Sequence, residues 1–192
     1  MDLNYSTNLI FPVPIHQIDT HGFDEIKDEL IDYAYNLKKE DEGVIISNKG
    51  GWQSKVFAVK ENNDILHSYI SHCISNFPIF RSSVEYEVFA WININKPGAY
   101  NITHDHPDSN LAGVLWIKCP ENCGDIEFDN PNVFQTYREI ESYDNEFKEK
   151  TNVYSSFYFT PVEGKLLVFP SHLLHKVDEN KSKEDRISVS FN

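Results

Sequence analysis

The chain has 192 residues, 40% hydrophobic and 14% aromatic, enough core-forming material to exclude a disordered protein. Its 30 acidic residues against 17 basic ones give a formal net charge of −13, which opposes binding to duplex nucleic acid or an anionic membrane. No apolar run nears the roughly 20 residues of a membrane span, no signal-peptide pattern opens the chain, and three cysteines are too few for a disulfide framework, so a cytoplasmic protein is expected.

In chain order, Asn8 to Ile15 alternates weakly and carries Pro12 and Pro14, which suits an edge strand. Phe23 to Lys39 then places Phe23, Ile26, Leu30, Tyr33, Ala34 and Leu37 at helical spacing, with Thr20 or Asp24 as its expected cap. Gly43 to Lys55, around Gly50-Gly51-Trp52-Gln53, reads as an ordered loop, and a second helix is expected over 63–77. From Val84 the texture changes to short strands: 84–95, 111–118, 124–128, 155–160, 165–169 and 186–192. Turn signals such as Lys96-Pro97-Gly98 and Asp129-Asn130-Pro131 separate them. This pattern predicts a mainly β fold, a barrel or two-sheet jelly roll, in one domain over 1–192. In it, residues 1–83 form a mixed α/β support with flanking helices, and 84–192 form the β core. Residues 133–153 read as a long polar insertion, whose Glu139–Lys150 charge run is expected to be a solvated face.

Of eight histidines, those at 16, 21, 67 and 72 have no partner pattern. His104-Asp105-His106 differs, because residues i and i+2 of an extended segment share a face and two imidazoles converge on one point. A third, His175, follows a strand that runs into a turn, Gly164 to Ser171. The direction of the nearby His172 cannot be read from the sequence. Eleven residues beyond His175, Arg186, Ser188 and Ser190 occupy one face of an alternating strand and Ile187, Val189 and Phe191 the other. A polar inward face is costly unless it serves a ligand, and a guanidinium beside a hydroxyl suits a carboxylate. Cys119 and Cys123 flank a turn and, lacking a second pair, read as two ordinary thiols.

Taken in order, His104-x-His106, Leu111-x-Gly113-Val114-x-Trp116, Gly124-x-Ile126-x-Phe128-x-x-Pro131, Gly164-Lys165-Leu166-Leu167-Val168-Phe169-Pro170-Ser171-x-x-x-His175 and Arg186-x-Ser188-x-Ser190 resemble the Fe(II)/2-oxoglutarate-dependent dioxygenases. The likeness is greatest to the phage and bacterial subgroup of these oxygenases, with some similarity to prolyl hydroxylases. Phe11-Pro12-x-Pro14 and Gly50 to Ser54 also resemble that subgroup.

The resemblance implies a double-stranded β-helix that binds Fe(II), 2-oxoglutarate and O2, releases succinate and CO2, and hydroxylates a C–H bond of a small-molecule or protein side-chain substrate. His104, His106 and His175 match the metal ligands, although His106 stands where most of the superfamily has Asp or Glu. The rival is that Asp105 or Asp108 completes the site. Arg186 and Ser188 match the pair that binds the distal carboxylate of 2-oxoglutarate, Trp116 an aromatic beside it, and Asn93 a contact to its other end. Loops 50–54 and 133–153 are expected to flank the metal-bearing mouth. The location becomes a host's cytoplasm if the protein is phage-encoded, and homodimerisation is left open. Two alternatives stand: a three-histidine oxygenase that does not use 2-oxoglutarate, and a non-catalytic jelly-roll binding protein.

Overall fold

A computed structural model describes residues 6–60, 64–75, 77, 85–132, 140 and 142–192. The expected helix forms as α1 (Phe23–Glu40), with its apolar residues Phe23, Leu30 and Ala34 buried. Its cap differs from expectation. Gly22, in the left-handed region at φ 74°, holds the N-terminus without a side-chain bond, while Thr20 Oγ1 donates instead to the Gly164 carbonyl. The second helix is α2 (Ile65–Ser75); position 63 lies outside the described residues, as does position 84, where the first long strand was expected to begin.

Two antiparallel sheets follow. The first orders β1 (His16–Asp19), β10 (Lys165–Pro170), β7 (Leu111–Lys118), β12 (Arg186–Phe191), β5 (Phe89–Asn95) and β3 (Trp52–Gln53), and β4 (Phe57–Ala58) also pairs with β5. The second orders β2 (Asn48–Lys49), β6 (Tyr100–His104), β11 (His175–Val177), β8 (Ile126–Asp129) and β9 (Ser156–Phe159). The arrangement is the expected jelly roll with N-terminal flanking helices.

Period-two alternation decides what each face meets. On the outer face of the large sheet, Ile92, Ile94, Leu115, Ile187 and Val189 pack with Leu30, Ala34, Leu66 and Ile70 of the two helices. Ala112, Val114, Trp116, Leu167 and Phe169 face the other way and meet Ile126 and Phe128 of the small sheet. Gly113 keeps this packing close, because a Cβ there would lie 2.2 Å from the Phe191 ring and 2.7 Å from the Leu167 carbonyl oxygen.

Three expectations shift. The N-terminal edge strand forms at 16–19, one step after its prolines, which would each remove a ladder donor. The 43–55 loop contains β2 and β3, so its Gly50-Gly51 turn crosses from the small sheet to the large one. The insertion holds a third helix, α3 (Asn145–Thr151), capped by the Asp144 carboxylate and carrying an exposed Glu146–Lys150 pair; residues 133–139 and 141 lie outside the described residues.

Candidate metal and co-substrate site

β6 and β11 were not expected from the sequence, and they are the strands that bring the histidines together. His104 ends β6 and His175 opens β11, and the two are direct cross-strand partners. His106 lies past the strand end, so continued strand geometry does not aim it. The adjoining loop does. Its backbone N–H donates to the Ser171 carbonyl at 2.9 Å, Ser171 N–H donates back to the Asn110 carbonyl, and Ser171 Oγ donates to the Ser109 carbonyl.

One ligand atom from each of His104, His106 and His175 lies within 4.8 Å of the other two. The rings of His104 and His175 are 4.4 Å apart, and that of His106 lies 5.2 Å from each. His104 Nδ1 donates to the Ile102 carbonyl at 2.7 Å and His175 Nδ1 to the Leu173 carbonyl at 2.8 Å. A backbone carbonyl can only accept, so both rings carry the proton on Nδ1 and keep the Nε2 lone pair for a ligand. Burial lowers all three pKa values, His106 to about 4 and His175 to about 3, with mutual repulsion adding to the shift for those two. The imidazoles are therefore neutral at pH 7, the form that binds metal. Among the described residues no carboxylate joins the cluster, and Asp105 and Asp108 are both exposed.

The same cleft is lined by Arg186, Ser188, Asn93 and Trp116. Far from being an edge, β12 lies between β5 and β7, with Arg186 opposite Asn95, Ser188 opposite Asn93 and Ser190 opposite Trp91. Its polar face thus runs from the guanidinium toward Trp91, whose ring lies 5.6 Å from that of His106. Arg186 is 2% exposed. Its Nη1 donates to the Cys123, Gly124 and Asp178 carbonyls, and the guanidinium also hydrogen-bonds the Cys123 side chain. No carboxylate of a described residue pairs with it, although burial lowers its pKa and a buried cation is costly. A second unmet group lies beside it. Asn93 Nδ2 donates to Ser190 Oγ at 3.0 Å, but its Oδ1 is buried without a partner.

The description matched by residues 89–192 is "Putative 2OG-Fe(II) oxygenase". The chain belongs to this 2OG-Fe(II) oxygenase family. No curated protein matches it in sequence. In fold, the oxygenase is similar to a prolyl-4-hydroxylase of Pseudomonas putida, at TM-score 0.62 and 15% identity over 93% of this chain and 91% of that one. A viral collagen prolyl hydroxylase from Paramecium Bursaria Chlorella virus-1, solved with 2OG, matches at 0.57 and 19% identity over 92% and 93%. A non-heme alpha-ketoglutarate-dependent carbocyclase from nogalamycin biosynthesis matches at 0.61 and 14% identity over 93% and 78%. The family's cofactor is iron and its co-substrate 2-oxoglutarate. The neutral three-imidazole cluster and a buried guanidinium without a carboxylate partner among the described residues are a chemically fitting donor set for that pair.

Sequence reasoning passed over Trp91 and Asn95, and gave Ser190 and Ser171 no role of their own. The first three carried a usable signal, since Trp91, Asn93 and Asn95 alternate with buried Ala90, Ile92 and Ile94 just as the polar residues of β12 do. Of the two expected flanking loops, no described residue lines the cleft. The 50–54 segment borders it indirectly, since a Cβ on Gly51 would lie 2.9 Å from the side-chain amide of Asn95. His172 is exposed, and His67 is a buried structural residue that accepts from Lys60 N–H and stacks on Phe57.

Proposed function

We propose that this oxygenase hydroxylates a C–H bond of a small-molecule or protein side-chain substrate, with iron on His104, His106 and His175 and 2-oxoglutarate seated on Arg186 and Ser188. The observation that carries this reading is the buried Arg186, without an acidic partner, in the same cleft as three converging neutral imidazoles. Iron, when bound, supplies the activation of O2 with 2-oxoglutarate, from which succinate and CO2 leave.

The protein's own residues position and shield. The Nδ1 bonds of His104 and His175 fix both rings before any metal arrives, which saves ordering cost on binding. Three backbone carbonyls hold Nη1 of Arg186, so the guanidinium is fixed in place for a carboxylate. Ser188 adds a hydroxyl donor on the same strand face, and Trp116, 2% exposed and its cross-strand partner on β7, lies beside it as a dry flank. The bare Asn93 Oδ1 repels an anion. Rotating the amide by half a turn lets Ser190 Oγ donate to Oδ1 and presents Nδ2–H to the co-substrate, so Ser190 sets the polarity of Asn93.

The test is succinate formation from 2-oxoglutarate by the iron-loaded protein in air, compared with the His175→Ala variant. Turnover only in the parent protein is expected. Failure of the iron-loaded parent both to bind 2-oxoglutarate and to form succinate would overturn the reading.

A further inference from the structure

The turn that seats Arg186 carries two thiols. Cys119 ends the run out of β7, and Cys123 closes a turn in which its N–H donates to the Pro120 carbonyl at 3.1 Å, with Asn122 at φ 62°. The Cys119 and Cys123 side chains hydrogen-bond to each other, and both are free thiols, Cys119 half-buried and Cys123 buried. The carbonyl of Cys123 is one of the three that hold Arg186 Nη1, and the next two are those of Gly124 and Asp178. Gly124 (φ 93°) is pressed against the Asp178 carbonyl so closely that a Cβ there would lie 2.3 Å from its oxygen. One residue therefore links a thiol to the seat of the buried guanidinium, and the seat has no slack.

We propose that Cys119 and Cys123 are a peroxide-sensitive dithiol whose closure to a disulfide displaces the Arg186 seat and weakens 2-oxoglutarate binding. In the first step a Cys123 thiolate attacks hydrogen peroxide, breaking the O–O bond to give a sulfenic acid and hydroxide, which is protonated to water. Cys119 then attacks that sulfur, its thiol proton passing to the departing hydroxide as the S–S bond forms, and a second water is released. Two thiols lose two electrons and two protons, and one peroxide is reduced to two waters. The surroundings favour this order. The Cys119 hydrogen bond and the Arg186 charge lower the Cys123 pKa, and Cys119, the less buried of the two, stands next to it to resolve the sulfenic acid. Cys73, by contrast, lies on α2 with its pKa pushed up to about 11 by burial, so it stays reduced.

The consequence for 2-oxoglutarate rests on the proposed function, but the bridge and the movement of Arg186 do not. The test treats the full-length, zinc-loaded protein with hydrogen peroxide, zinc replacing iron to avoid radical side reactions. Three readings follow: alkylation and peptide mass mapping, the guanidinium Nε–H signals by ¹⁵N NMR, and 2-oxoglutarate titration by calorimetry. The chain has only three arginines, so the Arg186 signal is assigned by its loss in Arg186→Lys. The expected result is a Cys119–Cys123 bridge with Cys73 still alkylated, a shifted Arg186 signal, and about tenfold weaker 2-oxoglutarate binding. Cys119→Ser and Cys123→Ser should each abolish the bridge and leave the Arg186 signal unmoved by peroxide. Two thiols that stay alkylatable, or a bridge that leaves the Arg186 signal in place, overturn the inference. Absence of 2-oxoglutarate binding in the reduced parent would instead refute the proposed function, with the inference still judged by the first two readings.

Discussion

Replacing Arg186 by Met separates its two tasks, binding and support. On the binding side, Met removes a charge-assisted, two-point contact to a carboxylate. Each hydrogen bond to a charged group contributes about 1.5–3 kcal/mol, so the pair contributes about 3–5 kcal/mol, or roughly 10²–10³ in Kd. On the support side, Met leaves the Cys123, Gly124 and Asp178 carbonyls without the Nη1 donor they share. That loss is offset in part, because a buried cation is also removed from a 2%-exposed position. The net cost to folding should be about 1–3 kcal/mol, a fall of about 2–10 °C in Tm, which leaves a folded protein at 20 °C to be titrated. Arg186→Lys keeps the charge but loses the fork, so its affinity should fall between the two. Calorimetry of 2-oxoglutarate into zinc-loaded parent and variants, with Tm measured on the same samples, decides the matter. A folded Arg186→Met protein that binds 2-oxoglutarate as tightly as the parent would refute the reasoning.

Four further outcomes are expected. His106→Ala should lose metal by more than the roughly 10–100-fold that removal of a supporting partner costs, whereas Asp108→Asn should keep it; elemental analysis of dialysed protein reads both, and the reverse pattern would place a carboxylate on the metal. Ser171→Ala removes the side-chain bond to the Ser109 carbonyl but not the backbone bonds, so zinc affinity should fall about tenfold while Tm changes little. Gly113→Ala should destabilise the fold by about 1–3 kcal/mol in thermal unfolding, because its Cβ meets a backbone carbonyl as well as the Phe191 ring. Tyr35 has a pKa raised to about 12, by burial first and then by its bond to Asp185, so the stability it contributes is fully present below pH 10 and is lost as pH rises through about 12. Phenolate absorbance should show late titration in the parent, and Tyr35→Phe should remove one tyrosine's share of it, because Tyr33, also raised to about 12, keeps the rest.

The parts of the fold that sequence could announce are those in which one periodicity runs long enough to be heard. The 18 residues of α1 and the long central strands carry a stripe or an alternation that matches what they bury. The two strands that assemble the histidines carry neither. β11 is three residues long, and in β6 the residues Tyr100, Ile102 and Thr103 are all exposed, so no apolar alternation marks it. The conversion of His104-x-His106 into a site depends on pairing between strands far apart in sequence, His104 with His175. It depends equally on a loop-to-loop staple through Ser171, a residue with no signature of its own. The co-substrate side was more legible because its cost is local. A strand that spends Arg186, Ser188 and Ser190 on one face and Ile187, Val189 and Phe191 on the other must place the first set against something polar. The same logic, applied to the Trp91, Asn93 and Asn95 face of the neighbouring strand, would have extended that polar wall across β5. A functional cleft between two sheets is therefore most visible where polar alternation interrupts an otherwise buried strand. It is least visible where short strands and loop carbonyls position the ligands.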